Sequence, residues 1–431
     1  MATVIALGAL GVVVMWWHDT TPSSVVGVGN WLSAVGRVTG LVGTYLVVIE
    51  VLLMGRVAWL DRWIGMDRLA LWHRRNGEYS ISLLFAHAIF IIWGYAVTAH
   101  AGLARETKVV VLDYPDMLAA TVGLLLLGVI GVLSARVVRR HVDYQTWYFI
   151  HLYTYVALAL SFAHQFATGA DFATHPLNRA VWIALYAAVG TLLVVYRVAK
   201  PLRDGYRHRL EVAQVIDEAP GISSIYIRGK RLGELQAAAG QFFLWRFLTR
   251  SGWWQAHPYS LSAAPNGSTL RLTVKHLGDH STGLAELSTG TRVLAEGPYG
   301  SFTARRRTRR KVLLIGAGVG ITPLRALFES LPSRPGEMSL IYRVHQVEDL
   351  AFRRELDAIA AAKKATVHYL VGSRRDHPEY LTPRHLRALV PDIAQRDVFV
   401  CGPNEMTVAT TAALRRLRVP TSHIHTEHFE L

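Results

Sequence analysis

A chain of 431 residues with 51% hydrophobic content is long enough for two or three domains, and its apolar excess places part of it in a membrane. Its formal charge of +15 sits in short loops beside apolar segments and in one run, Arg305 to Lys311, with no nucleic-acid motif nearby, which argues against nucleic-acid binding. The single cysteine, Cys401, excludes an intramolecular disulfide and a cysteine-rich metal site, so any metal would be held mainly by histidine.

Residues 1 to 200 carry nearly all the long charge-poor runs, and residues 203 to 431 alternate short apolar runs with Gly, Pro and charge. Six spans are predicted: Ala2 to Trp17, Trp31 to Met54, Tyr79 to Ala99, Met117 to Ala135, Trp147 to Phe166 and Ala180 to Ala199. The first lacks a basic leader and a small-residue cleavage pattern, so it reads as an uncleaved span. Arg56, Arg62, Arg68, Arg74 and Arg75 follow span two, Arg136, Arg139 and Arg140 follow span four, and Arg197, Lys200 and Arg203 follow span six. The opposite loops are poorer in base and contain Asp19, Asp113, Asp116 and Asp171. The basic loops, and with them the soluble half, are therefore expected in the cytoplasm.

Spans three and five each carry two histidines thirteen residues apart, His87 and His100 on one, His151 and His164 on the other. A lone histidine in an apolar helix is usually a packed or interfacial residue, but four at matched spacing, at depths where polar groups are costly, point to function. Imidazole is a regular axial ligand of heme iron, and the two levels would lie on the order of 20 Å apart along the bilayer normal. The orientation pairs His87 with His151 on the cytoplasmic side and His100 with His164 on the outer side. Thirteen residues at about 100° leave the second histidine roughly 140° around an ideal helix, where fourteen would face better. His73 and His141 in basic loops, and His18 and His175 in outer loops, read as solvated side chains.

After Pro201, six short strands separated by Gly- and Pro-bearing turns predict a small antiparallel barrel: Leu210 to Ile216, Ser223 to Ile227, Gln241 to Trp245, Tyr259 to Ser262, Leu270 to Lys275 and Arg292 to Ala295. It contains His257-Pro258-Tyr259-Ser260 and, after Lys275, the small-residue turn Gly278 to Gly283, whose amides and hydroxyls suit a diphosphate. From Lys311 the pattern becomes strand, turn, helix. Val312 to Ile315 suits a buried parallel strand, Gly316, Gly318 and Gly320 allow close backbone approach, and Pro323 stands in the first helical turn, an anion site for a dinucleotide. Strands Met338 to Val344, Thr366 to Val371 and Val398 to Cys401 complete a doubly wound α/β domain. Arg343 and Ser373-Arg374-Arg375 follow the second and third strands, where they suit a 2′-phosphate better than a free 2′-hydroxyl.

Paired histidines on spans three and five, then His-Pro-Tyr-Ser, Gly-Ala-Gly-Val-Gly-Ile-Thr-Pro and Cys-Gly-Pro, resemble in order and spacing the ferric reductase and NADPH oxidase superfamily of transmembrane flavocytochromes. The resemblance implies a membrane all-α six-helix heme bundle (1–203), an antiparallel β-barrel FAD lobe (204–305) and a doubly wound α/β NADPH lobe (306–431). It assigns His257, Pro258, Tyr259 and Ser260 to FAD, with Lys275, Gly278 and Ser281 on its diphosphate side. Gly316, Gly318, Gly320, Thr322 and Pro323 would bind NADPH, with Arg343, Ser373 and Arg374 at its 2′-phosphate. Cys401, with Gly402 and Pro403, would sit against the nicotinamide, Phe429 would cover the flavin, and Glu427 resembles the carboxylate of the hydride site. The implied activity moves electrons from cytoplasmic NADPH through FAD and two b-type hemes to dioxygen or a ferric complex outside. Membrane quinone or an outer-side protein remains an alternative acceptor, and the oligomeric state is open.

Overall fold

The computed structural model describes residues 2–142, 144–250, 252–373 and 375–428. It divides into two compact units, one built from the chain up to Val57 and from Asp67 to Tyr196, the other from Ala58 to Met66 and from Arg197 onward.

The first unit is helical. Helix α1 (Ala2–Asp19) and α2 (Val28–Leu53) pack together, and Trp16, Leu41, Tyr45, Phe172 and Trp182 form a core. Helix α3 (Ala58–Ile64) belongs to the second unit. There follow α4 (Met66–Thr98), α5 (Leu103–Asp113), α6 (Met117–Ser134) and the single turn α7 (Arg136–Arg139). Helices long and apolar enough to cross a membrane number four among the described residues: Val28–Leu53, Arg68–Thr98, Met117–Ser134 and Pro176–His208. Thr3–Asp19 is apolar but shorter.

The expected continuous span Trp147 to Phe166 is instead three pieces, α8 (Tyr144–Leu152), α9 (Thr154–Leu160) and α10 (Ala163–Ala167). At the breaks the backbone tightens to the third residue back: Tyr153 N donates to Ile150 O (3.1 Å), Phe162 N to Ala159 O (3.2 Å) and Gln165 N to Phe162 O (3.3 Å). The Thr154 hydroxyl takes the His151 carbonyl at 2.5 Å, the back-bonding that bends helices at Ser and Thr. Helix α11 (Ala170–Ala173) and α12 (Pro176–Val194) follow, and a π-type turn, Val195–Ala199, leads into α13 (Lys200–His208).

The second unit holds two β-rich lobes. Strands β1 (Glu211–Ala219), β2 (Ile222–Arg228) and β5 (Thr269–Lys275) form one antiparallel sheet, with β3 (Phe242–Phe247), β4 (His257–Ser260) and β6 (Val293–Tyr299) in another. Bridges Glu211 to Arg292 and Leu261 to Leu272 link the two sheets around Ile225, Phe243, Trp245 and Leu272. The short helix α14 (Asp279–Gly283) follows β5.

The last lobe alternates β7 (Val312–Ala317), α15 (Ile321–Ser330), β8 (Met338–Val344), α16 (Arg353–Lys363), β9 (Thr366–Val371), α17 (Pro383–Leu389), β10 (Asp397–Gly402) and α18 (Asn404–Arg416). A fifth strand that the sequence reading missed, β11 (Ile424–His428), completes a parallel sheet of order β11-β10-β7-β8-β9. Its strand order reverses between β7 and β10, where ligands bind open α/β sheets. Arg271 on β5 ties the two lobes, since its guanidinium meets both Glu355 oxygens of α16 at 2.7 and 3.0 Å.

Candidate functional site

The structure groups four histidines of the helical unit, but not in the expected pairs. His87 of α4 and His164 of α10 line one cavity of about 340 Å³. His73 and His151 hold their ring centroids 5.9 Å apart, at 78° to each other. His100 lies beyond the end of α4, exposed and at φ 50°, outside that cavity. The correction has a helical cause. Residues 66 to 76 contain no Gly or Pro, so α4 begins well before the apolar run and makes His73 helical, and it ends at Thr98 before reaching His100. His73 and His87 are fourteen residues apart, which returns both to within roughly 40° of one helix face.

Each imidazole has its own surroundings. His87 Nδ1 is 2.7 Å from the Gly36 carbonyl, so Nδ1 carries the proton and Nε2 keeps its lone pair. That contact needs the bare backbone of α2, because a Cβ on Gly40 would stand 2.5 Å from the ring. His151 stacks on Trp147 at 5.0 Å with its Nδ1 3.4 Å from Ser134 Oγ. His164 Nδ1 is buried and has no hydrogen-bond partner. The neighbouring Gln165 anchors α10: its amide nitrogen donates to the Ser161 carbonyl (2.9 Å) and the Tyr186 hydroxyl (3.2 Å), and its oxygen accepts from Trp182 Nε1 (2.8 Å). Polar residues also line the cavity, among them Arg37, Tyr95, Tyr114 and Asp171.

In the second unit, β4 presents His257, Pro258, Tyr259 and Ser260 along one strand against β3. Trp245 Nε1 donates to the Tyr259 carbonyl at 2.9 Å, and burial pushes the Tyr259 phenol up to about 12, so it stays neutral. The Ser260 hydroxyl is buried without a partner. A buried hydroxyl left unpaired is costly, which marks it as a donor or acceptor kept for a bound group. Lys275 ends β5 in solvent, and the Gly278 turn is organised by Ser281, whose hydroxyl accepts from the amides of Leu277 (2.9 Å) and Gly278 (3.1 Å). Ser260→Ala is expected to leave the melting temperature nearly unchanged, because no protein bond is lost. Flavin reduction should slow about tenfold, the equivalent of one lost hydrogen bond of roughly 1.4 kcal/mol. Stopped-flow absorbance and a thermal melt check both halves.

At the strand-order reversal, Gly316 is the next-to-last residue of β7, Gly318 takes φ 54°, and Gly320 precedes α15. A Cβ on Gly320 would stand 2.4 Å from the Cys401 carbonyl oxygen, so the turn and the end of β10 can meet only through glycine. The Thr322 hydroxyl donates to Val319 O (2.9 Å), and Pro323 is buried in the first turn of α15. Cys401 is wholly buried between Gly316 on β7 and Glu427 on β11. Burial, with the Glu427 charge beside it, pushes the thiol well above its usual range, so Cys401 is a protonated packing surface and no nucleophile. Gly402 accepts from the Thr407 hydroxyl at 3.3 Å and Pro403 caps α18.

Arg343, the next-to-last residue of β8, holds its guanidinium 6.0 Å from the Tyr380 ring centroid. The Ser373 hydroxyl donates to Asp376 at 2.6 Å and accepts from the Arg375 amide at 3.2 Å. Arg374 and Phe429, both expected at the nucleotide and flavin, lie outside the described residues.

Comparison with known families matches three models in order. Residues 39–162 match the ferric reductase like transmembrane component, 215–303 an FAD-binding domain and 314–412 an oxidoreductase NAD-binding domain. The chain has the architecture of a ferric reductase/NADPH oxidase-like flavocytochrome. Among curated proteins, the chain is similar to a flavohemoprotein of Xylella fastidiosa, 28% identical over 325 residues that cover 70% of this chain and 79% of the relative. It is also similar to the ferredoxin reductase component of a 3-ketosteroid-9-alpha-monooxygenase from Mycolicibacterium smegmatis, 31% identical over 233 residues, 51% of this chain and 65% of that one. Among solved structures, a flavohemoglobin from Malassezia yamatoensis with bound FAD and heme aligns at a TM-score of 0.46 with 18% identity, covering 93% of this chain and 98% of that one. The three matched models make the chain a membrane-associated oxidoreductase whose FAD- and NAD-binding domains suit it to NAD(P)H-driven electron transfer.

Proposed function

We propose that this flavocytochrome takes electrons from cytoplasmic NADPH and delivers them across the membrane through FAD and two b-type hemes, to dioxygen or a ferric chelate outside. When bound, FAD supplies the conversion of a two-electron hydride donor into single electrons, and the hemes supply one-electron relays through the apolar layer. The bundle would comprise the four long helices, α1, and the broken segment from α8 to α10. The linked sheets of the second unit are read as the small FAD barrel, with lobe boundaries near 204 and 306.

The observation that carries the proposal is the pairing of His73 with His151 and of His87 with His164, one member of each pair from α4 and the other from the broken segment. Two imidazoles sharing one iron through their ring nitrogens stand with centroids about 6 Å apart, given a metal–nitrogen distance of about 2 Å. The 5.9 Å separation of His73 and His151 fits that span, and the orphaned Nδ1 of His164 fits a histidine whose environment is incomplete without a bound group. Arg37, in the cavity of the second pair, supplies a cation for a heme carboxylate or an anionic acceptor. Iron held by two histidines leaves no open position, so the acceptor would take its electron at the heme edge. The name of the flavohemoprotein relatives, which joins flavin and heme, agrees with this reading.

In the nucleotide lobe, the Gly316 to Gly320 turn and the start of α15 would hold the diphosphate, and Cys401 would bear on the nicotinamide face. Arg343 would contribute to the 2′-phosphate. Arg343→Ala should raise the Michaelis constant for NADPH about tenfold and leave that for NADH within twofold, as one lost charge-assisted hydrogen bond requires. Equal rises for both nucleotides would remove the 2′-phosphate assignment. The function itself is tested by reducing the purified protein with NADPH without oxygen, then adding dioxygen or a ferric chelate. Reoxidation of heme by one of them within the turnover time is expected. Heme that stays reduced with both would exclude them as acceptors.

A further inference from the structure

We infer that Glu50 is a positioning residue for His73, accepting from its Nδ1–H and thereby holding the reduction potential of the iron that His73 would ligate below that of the second heme. The inference rests on the reading of His73 as an axial ligand and goes beyond it.

Glu50 lies on α2, only 7% exposed, in a helix otherwise apolar enough to cross a membrane. A carboxylate there is costly unless its oxygens are occupied. Both are. Oε1 accepts from Asn76 Nδ2 at 2.6 Å, and the same amide group also donates to the Leu46 carbonyl at 2.9 Å. Oε2 lies 2.5 Å from His73 Nδ1. That nitrogen is buried and has no in-line hydrogen-bond partner, so a small turn of the ring brings its N–H onto the carboxylate, the acceptor at contact distance. His73 and Asn76 are three residues apart on α4 and share a face, so one carboxylate on α2 fixes both. Among the described residues the ion-pair contact of Glu50 is with His73.

The other three histidines are placed differently. His87 faces a neutral backbone carbonyl, His151 a serine hydroxyl at 3.4 Å, and His164 Nδ1 has no partner. Only His73 meets a carboxylate among these four. A charged acceptor on the far nitrogen makes an imidazole a more basic ligand and favours the oxidised, more positive iron. The iron at His73 and His151 would then have the lower potential and that at His87 and His164 the higher. Electrons entering at the first pair would run downhill to the second.

The test is an optical redox titration of the heme-loaded full chain. Glu50→Gln keeps the shape of the side chain but removes its charge. One heme, the lower-potential one, should become easier to reduce by at least tenfold in its one-electron equilibrium, which is 59 mV upward. The other should stay in place, and Glu50→Asp should restore part of the shift. A change confined to packing would not move one potential alone. If Glu50→Gln fails to hold heme, Asn76→Ala decides, because freeing Oε1 concentrates charge on Oε2 and should move the same heme downward. Unmoved potentials in the variant that holds both hemes overturn the role of Glu50. A His73→Leu protein that keeps both hemes would instead refute the ligand reading beneath it.

Discussion

Replacing His73 by leucine is expected to lower the heme content from two per chain to one and to stop NADPH-driven reduction of the heme that remains, whereas His100→Leu should leave both hemes and their reduction intact. The two substitutions are alike in chemistry and opposite in consequence, because α4 carries His73 next to His151 while His100 lies past its last turn. An imidazole lost from a bis-histidine site leaves iron with one ligand and removes most of what holds the group in an apolar layer. Heme-to-flavin ratios from the pyridine hemochrome and the flavin absorbance measure the result. A normal heme content in His73→Leu, or a loss in His100→Leu, would return the assignment to the pairing expected from hydropathy alone.

The second large effect is expected at Gly320. Alanine there would put a methyl 2.4 Å from the Cys401 carbonyl oxygen and 2.6 Å from its carbon, and no rotamer can relieve a clash of a Cβ with backbone. The turn must shift away from β10, which would separate the turn proposed to hold the diphosphate from the face proposed for the nicotinamide. Overpacking of this kind costs roughly 1–3 kcal/mol, so NADPH-dependent flavin reduction should fall by one to two orders of magnitude. Gly318→Ala meets nothing within 4 Å and bears only the strain of its positive φ, so its effect should be smaller. Rapid-mixing kinetics compares the two, and heme content should be normal in both, since the histidines are untouched. A larger loss in Gly318→Ala would show that backbone conformation, not the approach of β10, limits the turn.

The nucleotide lobe was legible because its chemistry is written locally: an apolar strand, glycines and a helix start leave few alternatives, and β8 and β9 follow the expected bounds. Its last strand was not, because Ile424–His428 is short and mostly polar and gains its place only by pairing with β10. In the helical unit, the two histidine-bearing segments could be read from hydropathy, but their pairing could not. Charged residues around His73 hide it from an apolar window, although arginine and leucine there favour helix. The fourteen-residue step that the helix geometry asked for was therefore present in the chain, one histidine earlier than the apolar run began. The break at Tyr153 goes with the Thr154 hydroxyl returning to the His151 carbonyl, and the one at Ser161 with a backbone tightened to the third residue back, local choices that no hydrophobic period reveals.

The central claim, two bis-histidine hemes fed from NADPH through flavin in one chain, is tested most directly by the anaerobic reduced-minus-oxidised spectrum of the purified protein after NADPH addition, with heme counted per chain and carbon monoxide added last. The expected result is two low-spin b-type hemes per chain, both reduced by NADPH and neither shifted by carbon monoxide. Flavin that is reduced while heme stays oxidised, a single heme per chain, or a carbon monoxide shift from an open iron position would contradict it.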